Sequence, residues 1–165
     1  MVYLDNAATT KPSDAAIAAG DEIMRECYAN PHSLHDFGIS AEKKVEEARK
    51  TVALAMGVPA DCLYFTSGGT MSDNIAIRGF LSGKRGGRII TSAFEHPAVL
   101  ESFKSLEKTF DVVYVSPDKS GKISAESVLE KITPDTALVS IMHINNETGA
   151  INEIEEIAEY TKRLG

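Results

Sequence analysis

Basic residues are the minority in this 165-residue chain: 24 acidic side chains stand against 17 Lys and Arg, for a formal charge of -7. Nucleic acids are held chiefly by Lys and Arg clustered on phosphates, so this balance argues against a nucleic-acid partner and favours small molecules and proteins. Cysteine is scarce as well. Cys27 and Cys62 are the only two, and they form neither a C-x-x-C pair nor a disulfide-framework spacing. Both read as small apolar residues in a reducing compartment. No apolar run reaches the length of a bilayer span, and Met1 to Asp5 lack a basic stretch followed by an apolar one. A membrane partner and a secretory leader are therefore not expected, and a cytoplasmic location is. Pro/Ser linkers, repeats and low-complexity blocks are missing too. The expected organisation is an N-terminal segment over residues 1–12 followed by one continuous unit over 13–165.

What is present is an ordinary globular composition, 43% hydrophobic and 25% charged, with enough length for a real core. Periodicity supplies the rest. Ser13 can cap a helix running to about Tyr28, with Ile17, Met24, Cys27 and Tyr28 on one face, and Asn30-Pro31 breaks it. A second helix from about Ser40 to Met56 carries Val45, Ala48, Val52 and Met56 along one stripe and stops at Gly57, which suits a left-handed cap. Strands and helices then alternate. Strands are expected at Cys62 to Thr66, Arg88 to Thr91, Val112 to Ser116 and Ala137 to Met142. Helices are expected at Thr70 to Leu81, Pro97 to Glu107, Ser124 to Ile132 and Ile154 to Leu164. Short apolar runs between amphipathic helices predict an α/β fold, a three-layer αβα arrangement around a mostly parallel sheet. Ligands of such sheets sit at the strand ends.

Three strand-end loops are candidates. Thr66-Ser67-Gly68-Gly69-Thr70 joins a predicted strand to a predicted helix, so its amides can converge on an anion where the helix terminus favours negative charge. On its own such a small-residue turn is more often structural, and it lacks the Gly-Lys-Ser/Thr ending of a P-loop. Glu95-His96-Pro97 puts an imidazole at the same sheet edge, where it could stack on a flat heteroaromatic ligand or simply cap the next helix. Asn145-Asn146-Glu147-Thr148-Gly149 offers amides that both donate and accept, in a sequence that also suits an ordinary turn. The His32-x-x-His35 spacing, with His143 as a possible third ligand, lacks carboxylate or thiolate neighbours, and no metal is assigned.

In this order the segments resemble the cysteine desulfurases of the class V aminotransferase superfamily, fold type I. The residues that carry the resemblance are Tyr3 to Thr10, Asn30-Pro31-His32-Ser33 with His35 and Gly38, and Phe65 to Thr70 with Asp73-Asn74. It continues through Thr91-Ser92, Glu95 to Leu100, Val139 to Met142 and Asn145 to Gly149. The resemblance implies the incomplete large domain of a transferase dependent on pyridoxal 5'-phosphate (PLP). Gly69 and Thr70 would hold the PLP phosphate, His96 would stack on the pyridine ring, and Asn146 would lie beside its phenolic oxygen and the substrate carboxylate. His96 is also a possible acid or base, imidazole being suited to proton transfer near neutral pH. Two positions depart from the pattern. Met71 stands where an acidic residue is usual, and Asn152-Glu153 where Gln-Pro is common.

The resemblance also implies what lies elsewhere. The Schiff-base lysine, the aspartate paired with the pyridinium nitrogen and the sulfur-accepting cysteine all belong to positions beyond Gly165 in the family, and neither Cys27 nor Cys62 takes that part. On this reading the chain has no catalytic nucleophile of its own, is inert in isolation and needs a complementary C-terminal half. The complete enzyme would be a homodimer that converts L-cysteine to L-alanine and passes the sulfur to an acceptor or scaffold protein for iron-sulfur cluster or thio-cofactor synthesis. Alternatives are a selenocysteine lyase, a small-amino-acid aminotransferase or a non-catalytic binding fragment.

Overall fold

The computed structural model describes residues 2–164; Met1 and Gly165, the outer ends of the two expected segments, lie outside them. The chain forms two compact units, Met1–Phe65 and Thr66–Gly165, a boundary that no shift in composition signals.

The first unit is helical. Ser13 caps α1 (Asp14–Glu26) by accepting the Ala16 amide at 3.2 Å, as its hydroxyl predicts. α2 (Asp36–Met56) starts four residues before the expected Ser40, because His35 acts as its N-cap and accepts the Gly38 amide on Nδ1 at 3.2 Å. It ends at Gly57, whose φ of 67° is the left-handed cap its sequence predicts. Gly38 explains part of the Asn30 to Gly38 motif: a Cβ there would lie 2.7 Å from Ser33 Cβ and 2.8 Å from its carbonyl carbon. Only glycine lets the loop cross the first turn so closely. α1 buries none of its residues, and Ile17, Met24 and Tyr28 on its expected apolar face are exposed.

Residues Cys62 to Thr66 are not a strand. A single 3-10 turn, Ala60–Cys62, leads into extended backbone at Leu63 that pairs with nothing among the described residues. The apolar run supplies the extended conformation, but a strand also needs a neighbour for its ladder, which no local pattern can reveal.

The second unit is a three-layer αβα arrangement. Its helices and strands are α3 (Gly69–Leu81), β1 (Arg88–Ser92), α4 (Pro97–Lys104), β2 (Asp111–Val115), α5 (Ala125–Leu129), β3 (Thr136–Ser140) and α6 (Ile154–Leu164). The three strands are parallel in the order β2-β1-β3. Successive residues of β1 point to opposite faces, as strand geometry requires. Ile89 packs with Ile77 and Leu81 of α3 and Val99 and Phe103 of α4, whereas Ile90 packs with Val128 of α5 and Ile157 of α6.

The chain steps from β1 to β2 through α4 on one face, then crosses back past β1 to β3 through α5 on the other. Adjacent strands β1 and β3 therefore send their outgoing loops to opposite faces. Divergence of this kind marks the carboxyl ends of the strands, the place where ligands of open parallel sheets bind. Both outer strands keep a free edge, since β2 and β3 each pair only with β1 among the described residues. Along β3 the edge borders a groove of about 600 Å³ lined in part by Phe80, Pro134, Leu138, Tyr160 and Leu164.

Candidate functional site

α3 begins on the glycine turn, and its start differs from those of α1, α2, α4 and α5. Side chains cap α1, α2, α4 and α5, through Ser13, His35, His96 and Ser124. α3 receives no side-chain cap. The Gly68 carbonyl accepts the Met71 and Ser72 amides, each at 3.1 Å, so the ladder starts normally. The amides of Gly69 and Thr70 meet no acceptor among the described residues. Both residues are exposed, and a Cβ on Gly68 or Gly69 would meet nothing within 4 Å. The turn is braced from within. Thr66 Oγ1 donates to the Gly68 carbonyl at 3.0 Å and lies 2.7 Å from Ser72 Oγ. Ser67 donates to the thioether of Met71 at 3.4 Å, which occupies its hydroxyl with the residue that departs from the family pattern. Two free amides, open space and the positive end of a three-turn helix fit an anionic group such as a phosphate.

His96 starts α4. Its Nδ1 accepts the Ala98 amide at 3.1 Å, Pro97 fills the first helical position, and the imidazole remains exposed. Both readings of this histidine are thus compatible, since the cap uses one nitrogen and leaves Nε2–H as a donor. The structure brings His96 and Thr70 together: they line one cleft of about 350 Å³ between α3 and α4, with Asn74, Arg78 and Ser102. A polar chain holds its walls. Asn74 Nδ2 donates to the Thr70 carbonyl at 2.8 Å, Arg78 Nε donates to Asn74 Oδ1 at 3.0 Å, and Arg78 Nη2 reaches Ser105 of α4's cap at 2.7 Å.

Asn146 lies at the tip of a narrow ribbon. Residues 143–152 fold back on themselves, with Ile144 bridging Ile151 in antiparallel fashion, Asn152 N–H on the His143 carbonyl and Gly149 N–H on the Asn145 carbonyl. Asn146 is exposed and its amide donates to its neighbour Glu147 at 3.0 Å. It does not line the cleft that Thr70 and His96 share.

The buried polar residues around these loops escaped sequence reasoning. Glu95 is 8% exposed, and its Oε1 accepts both the Ser92 hydroxyl at 2.9 Å and the Met142 amide at 2.7 Å. Burial, opposed by those two hydrogen bonds and aided by the charge of Asp73, raises its carboxyl above the ordinary glutamate range. Asn145, 5% exposed, donates to the Phe94 carbonyl at 2.9 Å and accepts the Glu147 and Thr148 amides, each at 2.9 Å. Asn152 accepts the Ile123 amide at 2.8 Å and donates to the Met142 carbonyl at 2.7 Å, while Glu153 accepts the Ala125 amide in the first turn of α5 at 2.9 Å. Contacts between residues 28 to 51 positions apart leave no trace in local sequence. Among the described residues no group of three His, Cys, Asp or Glu is placed to hold a metal, and no helix is long and apolar enough to cross a membrane.

Comparison with known proteins connects this geometry to a family. The family model described as "Aminotransferase class-V" matches residues 2–165. The NifS/IcsS protein homolog of Lactobacillus delbrueckii subsp. bulgaricus is 44% identical over 96% of this chain, and the cysteine desulfurase IscS of Dictyoglomus turgidum is 42% identical over 98%. The chain spans 42% of the length of each. Among solved structures, a NifS-like protein superposes with a TM-score of 0.93 at 40% identity over 99% of this chain and 46% of its own. A protein described as "SspA in complex with cysteine" gives 0.90 at 36% identity, over 98% of this chain and 47% of its own. The matched family model covers all but the first residue, and the chain belongs to the class V aminotransferase family.

Proposed function

We propose that this chain forms the PLP-cradling part of a cysteine desulfurase acting on L-cysteine in the cytoplasm. The observation that carries the reading is the uncapped start of α3, where the Gly69 and Thr70 amides meet no acceptor among the described residues and Thr70 lines a cleft shared with His96.

Each residue contributes one physical element. The Gly69 and Thr70 amides and the Thr70 hydroxyl would donate to the phosphate, with the helix terminus favouring its negative charge. His96 would lay its ring against the pyridine, oriented by the Ala98 amide on Nδ1 and keeping Nε2–H as a donor that can lend a proton nearby. The Asn146 amide, whose present partner is the exposed carboxylate of Glu147, would exchange that contact for the phenolic oxygen and the substrate carboxylate. When bound, PLP supplies an electron sink that weakens bonds at the carbon bearing the substrate amine. The covalent lysine, the partner of the pyridinium nitrogen and the sulfur-accepting thiolate would come from a complementary C-terminal portion. The complete enzyme would be a homodimer handing sulfur to an acceptor or scaffold protein for iron-sulfur cluster or thio-cofactor synthesis.

The test combines this chain with the C-terminal portion of a family desulfurase, adds PLP and L-cysteine, and measures products. Alanine and sulfide in equal amounts under reducing conditions are expected. A keto acid instead of alanine, or activity on selenocysteine alone, would contradict the assignment.

A further inference from the structure

The loops leaving β1 and β3 diverge to opposite faces of the sheet, yet the first carries His96 and the second Asn146. Something must fix their relative position at the carboxyl ends of the strands. Two buried side chains reach from one loop to the other in opposite directions. From the β1 loop, Glu95 Oε1 takes the amide of Met142, just past the end of β3, at 2.7 Å. From the β3 ribbon, Asn145 Nδ2 donates to the carbonyl of Phe94 at 2.9 Å. The anchors are the immediate sequence neighbours of His96 and Asn146. Each is also held on its own side: Glu95 by the Ser92 hydroxyl, Asn145 by the Glu147 and Thr148 amides on Oδ1. With Oδ1 accepting N–H groups and Nδ2 facing a carbonyl, the orientation of the Asn145 amide follows from its partners.

We propose that Glu95 and Asn145 are positioning residues, a reciprocal latch that holds the His96 loop and the Asn146 ribbon in one register before any ligand binds. Its consequence for cofactor binding rests on the functional reading above; the latch itself does not. Both Glu95 bonds end on the same oxygen, so the role requires a buried acceptor rather than a charge. Glutamine keeps that acceptor, alanine removes it. Asn145→Asp keeps the three acceptor contacts within the ribbon and turns an oxygen, in place of the donor, toward the Phe94 carbonyl.

Hydrogen-deuterium exchange on the full chain without cofactor tests this. Glu95→Ala and Asn145→Asp should each speed exchange across residues 141–149 by about tenfold or more, with β1 and β2 peptides within about twofold of wild type, as local opening predicts. Glu95→Gln should stay within about twofold everywhere. The proposal is overturned if Glu95→Gln exchanges like Glu95→Ala, if neither latch variant changes residues 141–149, or if β1 and β2 accelerate equally, which would mark general destabilisation. In the complemented enzyme, Glu95→Ala should weaken PLP binding by about tenfold and Glu95→Gln should restore it, the behaviour of a preorganised site. Failure of the wild-type complement to bind PLP would refute the functional reading and leave the latch to be judged by exchange alone.

Discussion

Replacing Asn152 by alanine isolates the polar strut at the base of the ribbon. Asn152 is 6% exposed and makes two side-chain bonds, accepting from the Ile123 amide at 2.8 Å and donating to the Met142 carbonyl at 2.7 Å. Ile123 is 1% exposed, so its amide has no ready access to water once the acceptor is gone. A buried group left unsatisfied costs roughly 1–3 kcal/mol, so losing both partners predicts about 3 kcal/mol of destabilisation. With a urea slope of about 2 kcal/mol/M, the midpoint should fall by about 1.5 M. Equilibrium unfolding followed by tyrosine fluorescence measures this. Asn152→Asp sharpens the test, because it keeps the acceptor for Ile123 but turns an anionic oxygen toward the Met142 carbonyl. Its loss should be largest at neutral pH and shrink on acidification, when the new carboxyl can donate. A midpoint shift for Asn152→Ala below about 0.25 M, which corresponds to about 0.5 kcal/mol, would show that the strut bears no load.

Glu95 should give stability a pH dependence of known sign. Its folded carboxyl titrates above the ordinary value of 4.5, so the fold binds a proton more tightly than the unfolded chain does. The associated stability is present below that value and lost as pH rises through the raised one; Glu95→Gln should therefore gain on wild type across that rise, and parallel stability curves would contradict this. His96→Asn should keep the α4 cap, within about 0.5 kcal/mol of wild type, yet impair turnover of the complemented enzyme, whereas His96→Ala should cost about 1 kcal/mol in thermal or urea unfolding as well; full turnover of His96→Ala would remove the histidine from the mechanism. Gly38→Ala, which forces a Cβ against Ser33, should destabilise the first unit by about 1–3 kcal/mol, seen as loss of helical circular dichroism at lower urea. Because β2 and β3 pair only with β1 among the described residues and β3 borders a groove lined in part by apolar side chains, the chain alone should associate at micromolar concentration, and a compact monomer in light scattering would count against that.

Local rules made part of this architecture legible. Ser13 and Gly57 announce the ends of two helices through a hydroxyl and a left-handed turn, and the unbroken burial of Ile89 and Ile90, one on each face, places β1 between two helix layers. Non-local geometry stayed hidden. The extended segment after Cys62 looks like a strand because periodicity reports conformation and not neighbours. The His32-x-x-His35 spacing assigns no metal, and the capping role of His35 shows only once the Gly38 amide is found on its Nδ1. At the site, the sequence singles out His96 and Asn146, whereas the residues buried to hold their loops are the less conspicuous neighbours Glu95 and Asn145. Asn152, a departure from the family's usual Gln, proves to be a strut, because its partners come from segments 10 and 29 residues away.

The central claim is that the free amides at the start of α3 receive the phosphate of PLP. The most direct measurement is the backbone amide spectrum of the labelled chain, joined to its complementary C-terminal portion and titrated with PLP. The amides of Gly69 and Thr70 should shift most and saturate with the cofactor, and Thr70→Val should weaken binding while leaving the α3 resonances otherwise in place. PLP bound at full occupancy with the Gly69 and Thr70 amides unmoved would contradict the account.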